Sequence, residues 1–281
     1  MENIAYYNGR TGPIETMMVP MNERVCYFGD GVYDATCVVH GEPIELSEHI
    51  DRFYHSAQLV DIAVPMEKAE LESLLRGLVP KVDGEILFLY WQVTRGVGMR
   101  GHPYKNAGER ASLWAFVRPS ELRKPDGPYH CITVEDRRFF YCHVKTLNLL
   151  PNVLASQKAE EAGCDEAIFH RGERVTECAH SNIHILKDGV LHTAPCDELI
   201  LPGIARAHLI AACNHLGIEV KEKAFTVAEM MSADEVFFSS SSAPICRVGQ
   251  IDGQSVGVRD EQTFARIRDE RWQEIMEQAG R

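Results

Sequence analysis

The stretch "HVKTLNLLPN" (His143–Asn152) carries one lysine, Lys145, in a mostly apolar and uncharged run. Its flanks decide the fold. Upstream, "YHCITVED" (Tyr129–Asp136) alternates and holds Ile, Thr and Val, the pattern of a strand. Downstream, "PNVLASQKAEEAG" opens on Pro and Asn and stops at Gly163, the punctuation of a helix. Lys145 thus stands near a strand-to-helix connection, where α/β proteins often place working residues. Two readings are open on these residues alone. A desolvated lysine loses part of its preference for the ammonium form and becomes available as an amine nucleophile. A surface lysine lays its stem over Leu147 or Leu149, and most lysines are exposed.

Outward from this point the chain alternates strands and helices. "AYYNGR" and "IETMMV" suggest a hairpin around Asn8-Gly9 or Thr11-Gly12-Pro13. "GVYDATCVVHGEPIEL" reads as two strands around His40-Gly41-Glu42. Ser47 then caps a helix with Ile50, Phe53, Tyr54, Ala57 and Val60 on one face. Leu71, Leu74, Leu75 and Leu78 mark a second helix. "EILFLYWQVTRG" is a buried strand, followed by the loop "GVGMRGHPYKNAGER" and the strand "SLWAFVRP". The stretch 119–128, rich in charge and proline, is the expected linker. It separates a small N-terminal α/β domain (1–118) from a larger C-terminal domain (129–281). In the second half, "DEAIFH" and "RVTEC" flank a tight turn, and "NIHILKDGVLHTAP" is a hairpin. A helix follows "LPG" and ends at Gly217, and "DEVFFSSSSAPI" is a strand running into four serines. The last stretch is a charged amphipathic helix. The fold class is mixed α/β.

Composition narrows the function. The chain has 281 residues, 45% hydrophobic and 25% charged, as in a soluble globular protein. A net charge of −12 without a basic block disfavours nucleic acid or an anionic membrane as partner. The N-terminus reads as no signal peptide, and no apolar run approaches membrane-spanning length. Nine cysteines without a C-x-x-C pair argue against a zinc ribbon or disulfide scaffold and fit a reducing cytoplasm. Spacing places no metal site: "HSNIH" (His180–His184) offers two His on one side, without further ligands.

Two features suit an anion. "ILPGIARAHL" sets Gly203, Ile204 and Ala205 at a helix start, where free N–H groups and the helix dipole favour a phosphate. "SSSSAP" (Ser239–Pro244) offers hydroxyls and turn N–H groups. Neither contains a P-loop or G-x-G-x-x-G. Glu177, at the end of a strand-like stretch, is either an exposed carboxylate or one aimed at a basic ring nitrogen. A lysine amine, a phosphate cradle and a carboxylate for a pyridine nitrogen together describe pyridoxal phosphate chemistry.

Six ordered blocks then carry a family resemblance. They are "CYFGDGVYD" (Cys26–Asp34), "EHIDRFYHSA" (Glu48–Ala57), "WQVTRGVGMRGH" (Trp91–His102), "VKTLNLLPNVLA" (Val144–Ala155), "EAIFHRGERVTECAHSNI" (Glu166–Ile183) and "LPGIAR". With these the chain resembles the D-amino-acid aminotransferases, in the fold type IV family of pyridoxal phosphate enzymes. That family also holds branched-chain aminotransferases, amine transaminases and aminodeoxychorismate lyase, which are the alternatives. The resemblance covers nearly the whole chain.

The resemblance implies a cytoplasmic homodimer with two-domain subunits, and the cofactor pyridoxal 5′-phosphate. It implies ping-pong transamination between a D-amino acid such as D-alanine and a 2-oxo acid such as 2-oxoglutarate. Lys145 is then the Schiff-base lysine and proton shuttle, and Glu177 the partner of the pyridine nitrogen. Arg52 binds the phosphate, with backbone help near Ile204 and Ala205 and a contact from Ser240 or Ser241. Tyr33, Arg100 and His102 bind the substrate α-carboxylate, the last two reaching across the dimer. A bidentate guanidinium–carboxylate pair is the reason an arginine is wanted there. The "RGH" motif favours D-amino acids over the sister activities. Two positions depart from the pattern. Cys178, Ala179 and His180 replace a run of serines, and Ala205 stands where a threonine often touches the phosphate.

Overall fold

In a computed structural model, which describes residues 1–108 and 110–280, contacts divide the chain into two units. The first is Met1–Leu122 with Val144–Asn148 and the C-terminal end from Gln278. The second is Arg123–His143 with Leu149–Glu277. The Lys145 segment therefore groups with the first unit and not with the 129–281 sequence around it. The reason is pairing: Leu147 N–H donates to Gly31 C=O at 3.0 Å, and Val32 bridges Thr146.

The first unit contains strands β1 (Ile4–Tyr7), β2 (Arg10–Gly12), β3 (Gly31–Val39), β4 (Glu42–Pro43), β5 (Ile86–Thr94) and β6 (Ser112–Pro119). Its helices are α1 (Arg24–Phe28), α2 (Leu46–Leu59) and α3 (Lys68–Leu78). The sheet is antiparallel, in the order β2-β1-β6-β5-β3-β4. Leu87, Leu89, Trp91 and Val93 of β5 bury in one core with Ile50, Phe53 and Ala57 of α2 and Leu71, Leu75 and Leu78 of α3. The i, i+3, i+4, i+7 spacing of α3 is what lets one helix face supply those leucines.

Two local expectations are corrected. "IETMMV" is not a strand; Ile14–Thr16 is a 3-10 turn. Asn8 and Gly9, at φ of 46° and 90°, close a two-residue turn that pairs Tyr7 with Arg10. Pro13 then has no N–H to continue the ladder. Ser47 does not cap α2. The helix starts at the buried Leu46, with Glu45 as its flanking residue, and the Ser47 hydroxyl donates to Glu48. In the loop after β5, Glu109 lies outside the described residues.

The second unit contains β7 (Tyr129–Glu135), β8 (Glu166–Arg171), β9 (Arg174–Cys178), β10 (Asn182–Lys187), β11 (Val190–Thr193), β12 (Val220–Glu222), β13 (Glu235–Ser240), β14 (Ala243–Ile251) and β15 (Gln254–Ser255). The order is β12-β11-β10-β13-β14-β7-β8-β9, with β15 beside β14. Its helices are α4 (Leu150–Glu161), α5 (Ile204–His215), α6 (Val227–Met231) and α7 (Glu261–Gln278). β7 and β8 are parallel, so a crossover must join them, and α4 fills it. Ala155 and Ala159 bring α4 close onto Ala167 and Phe169 of β8. Leu209 and Cys213 of α5 pack with Leu186, Leu191 and Phe237 of the sheet and with Phe264 and Ile267 of α7. Among the described residues no helix is long and apolar enough to cross a membrane.

Candidate active site

In the first unit, β3 holds the lysine segment by its backbone. Tyr33 N–H donates to Lys145 C=O at 2.9 Å, and Lys145 N–H donates to Ser56 Oγ of α2 at 3.2 Å. Gly31 is required for this approach: a Cβ there would lie 2.6 Å from Val93 O and 2.7 Å from Leu147 Cδ1. The half-buried Lys145 ammonium sits 4.4 Å from the Tyr33 ring centroid, and Tyr33 stacks on Tyr90 at 5.5 Å. This cation–π contact and the backbone pairing bring Lys145 and Tyr33 together.

Arg52 projects from α2 onto Asp34, the residue after Tyr33. Its Nε donates to Asp34 Oδ2 at 2.9 Å and its NH2 to Asp34 Oδ1 at 2.8 Å, while His49 Nδ1 lies 2.8 Å from the same Oδ1. Burial pushes the Asp34 carboxyl up, but Arg52 and His49 more than offset it and hold it well below the usual carboxylate range. Arg52 is thus aimed by a bidentate pair.

Arg100 and His102, both exposed, share Phe28 of α1. The Arg100 guanidinium lies 5.5 Å from the ring centroid, and the His102 ring 5.3 Å from it. Arg24 anchors the loop by donating to Gly101 C=O at 2.7 Å and His102 C=O at 3.3 Å.

In the second unit, Glu177 near the end of β9 is buried and hydrogen-bonded at both oxygens. Arg138 NH1 donates to its Oε1, while Leu201 N–H (3.0 Å) and Asn182 Nδ2 (3.2 Å) donate to its Oε2. Asp136 holds Arg138 from behind, accepting from Nε and NH2 at 2.9 Å each. Burial pushes the Glu177 carboxyl up and Arg138 and the Leu201 N–H pull it down, leaving it raised to about 6. Asn182 Nδ2 also donates to Leu201 C=O at 3.1 Å, and its Oδ1 would lie 2.0 Å from a Cβ on Gly203. The carboxylate is therefore tied to the start of α5. His180, exposed, has Nδ1 3.2 Å from Oε2 of the buried Glu166, which also accepts from Ser181 Oγ at 2.8 Å.

The donors expected for a phosphate fit this unit. α5 begins at Ile204 and Ala205 without a side-chain cap. On the facing strand β13, Asn182 pairs with Ser239, and the buried Oγ of the next residue, Ser240, has no hydrogen-bond partner. Ser241 is half-buried in the turn that follows. An uncapped helix start and an orphaned hydroxyl suit an anion with several acceptor oxygens.

The model of the amino-transferase class IV family matches residues 31–251, most of the chain. The chain belongs to the class IV aminotransferases. Relatives within this class IV family agree over most of their length. The D-alanine aminotransferase of Listeria monocytogenes serotype 4b (strain F2365) is 43% identical, over 86% of this chain and 85% of that protein. That of Bacillus licheniformis is 39% identical over 89% of each. That of Staphylococcus aureus (strain MSSA476) is 37% identical over 91% of each. Solved branched-chain aminotransferases share the fold. A T.th. enzyme, solved with pyridoxamine 5′-phosphate, superposes with a TM-score of 0.89 at 23% identity over 99% of this chain and 94% of that one. The Escherichia coli enzyme gives 0.85 at 24% identity over 96% and 92%.

Sequence reading passed over Arg138, Asp136, Asp34, His49 and Asn182. "EDRR" at the end of β7 and "YD" in β3 are the only local hints, and neither names a partner far along the chain.

Proposed function

We propose that this class IV aminotransferase transfers an amino group between a D-amino acid such as D-alanine and a 2-oxo acid such as 2-oxoglutarate. Pyridoxal 5′-phosphate is its cofactor and the mechanism is ping-pong. The observation that carries the reading is the run of D-alanine aminotransferase relatives at 37–43% identity over most of both chains. When bound, the cofactor supplies an aldehyde that captures amines and a ring that absorbs a carbanion's electrons.

Lys145 would hold the cofactor through its amine, and the same amine would move a proton between the substrate α-carbon and the cofactor's C4′. Glu177, ionised near neutral pH, keeps a proton on the pyridine nitrogen. Arg138 and Asn182 keep that carboxylate in place. Arg52, aimed by Asp34, binds the phosphate with the N–H groups of Ile204 and Ala205 and with Ser240 and Ser241. No hydroxyl is available at Ala205. Tyr33, Arg100 and His102 bind the substrate carboxylate, and in the homodimer Arg100 and His102 come from the second copy. Fixing that carboxylate on one side leaves one α-hydrogen in line for Lys145. The compartment is the cytoplasm, which suits the free thiols.

The test incubates purified protein and pyridoxal 5′-phosphate with D-alanine or L-alanine plus 2-oxoglutarate, and measures pyruvate. Pyruvate from D-alanine alone is expected. Pyruvate from L-alanine alone, or turnover only of branched-chain L-amino acids, overturns the reading.

A further inference from the structure

A buried row of hydrogen bonds runs through the second unit from α5 to the end of β13. Arg206, in the first turn of α5, donates from Nε to Thr193 Oγ1 at 3.2 Å. Thr193 Oγ1 lies 3.0 Å from His184 Nδ1, and His184 Nε2 lies 2.9 Å from Ser239 Oγ. Arg206, Thr193, His184 and Ser239 are 4%, 1%, 0% and 1% exposed, so water does not substitute for any of these bonds. Arg206 is itself fixed, donating from NH2 to Ala194 C=O at 2.8 Å and to Glu222 Oε2 at 2.7 Å.

An arginine only donates, so the Thr193 oxygen accepts from Arg206. Burial, then the nearby Arg206 charge, pushes His184 down to about 3, so the ring stays neutral through neutral pH. A neutral imidazole donates from one ring nitrogen and accepts at the other, and the Thr193 and Ser239 hydroxyls complement either tautomer, so both links hold. Both ends of the row are structural neighbours of the expected phosphate donors. Arg206 follows Ile204 and Ala205, and Ser239 precedes Ser240, whose buried Oγ lacks a partner.

We propose that His184 is a positioning residue for the phosphate cradle, locking the serine end of β13 to the first turn of α5 through Ser239, Thr193 and Arg206. This rests on the cofactor reading above. Donors held in advance need no ordering when the anion arrives, which strengthens binding of the phosphate and leaves the rest of the cofactor untouched.

The test compares apoprotein affinity for pyridoxal 5′-phosphate with that for pyridoxal, which lacks the phosphate, by absorbance titration. His184→Leu and Thr193→Val each break the row at a different link. His184→Gln keeps an acceptor on one side and a donor on the other. The expected result is a loss of about tenfold in pyridoxal 5′-phosphate affinity for either breaking variant, about one buried hydrogen bond's worth. Pyridoxal binding should change by less than about twofold, and His184→Gln should restore most of the loss. Equal losses for both ligands, or no loss in whichever breaking variant folds, overturn the proposal while wild-type binding upholds the cofactor. Failure of the wild type to bind pyridoxal 5′-phosphate overturns both.

Discussion

Glu177 feels opposing influences, and their balance sets a pH dependence. Its carboxyl is raised from 4.5 to about 6, first by burial, against the pull of Arg138 and Leu201 N–H. Between these two values the folded state keeps a proton that the unfolded chain has released. The contribution to stability is therefore greatest below pH 4.5 and falls as pH rises through about 6. Glu177→Gln removes the titration. The stability of wild type relative to this variant, from urea unfolding of the apoprotein at a series of pH values, should drop by roughly 2 kcal/mol from pH 4 to pH 7. A flat difference would show that burial does not raise this carboxyl. Asp34 has the opposite sign. Its contribution is present above an unfolded value near 3.8 and is lost as pH falls toward its depressed folded value.

At the scale of elements, the start of α5 is held by a close approach. Gly203 has an ordinary extended backbone, with φ of −67°, so its requirement is space and not conformation. Asn182 cannot swing aside without giving up its bonds to Glu177 and Leu201. Gly203→Ala should therefore cost about 1–3 kcal/mol, seen as a lower Tm, and should weaken cofactor binding. An unchanged Tm would mean that Asn182 has another place to go. The same scale explains what sequence periodicity could and could not reach. Leu71, Leu75 and Leu78 announce α3 because helix spacing is local. Ser47 misleads because a serine near a helix start resembles a cap even when the buried Leu46 draws the first turn back past it. "IETMMV" misleads because alternation does not reveal that Asn8-Gly9 had already closed the hairpin.

At the scale of the molecule, the reading as a homodimer makes a prediction that a single subunit cannot mimic. If Arg100 serves the neighbouring subunit and Lys145 its own, Lys145→Ala and Arg100→Ala proteins should each be nearly inactive toward D-alanine. Mixed under subunit exchange, they should regain about a quarter of wild-type activity, because half of the dimers are hybrids with one intact site. No recovery in verified hybrids would mean that each site takes both residues from one and the same subunit.

By itself the sequence determined most of the order of strands and helices, the family, and the short blocks that single out Lys145 and Glu177. Each of those signals lies within a few residues of chain, where periodicity and turn chemistry act. Only the tertiary structure placed Arg138 against Glu177 across 39 positions, and Asp34 beneath Arg52. It alone joined Arg206 to Ser239 through His184, and gave the Lys145 segment to the first unit. Sheet register and crossovers decide which distant residues meet, and a buried polar group must find its partner among whatever they bring there.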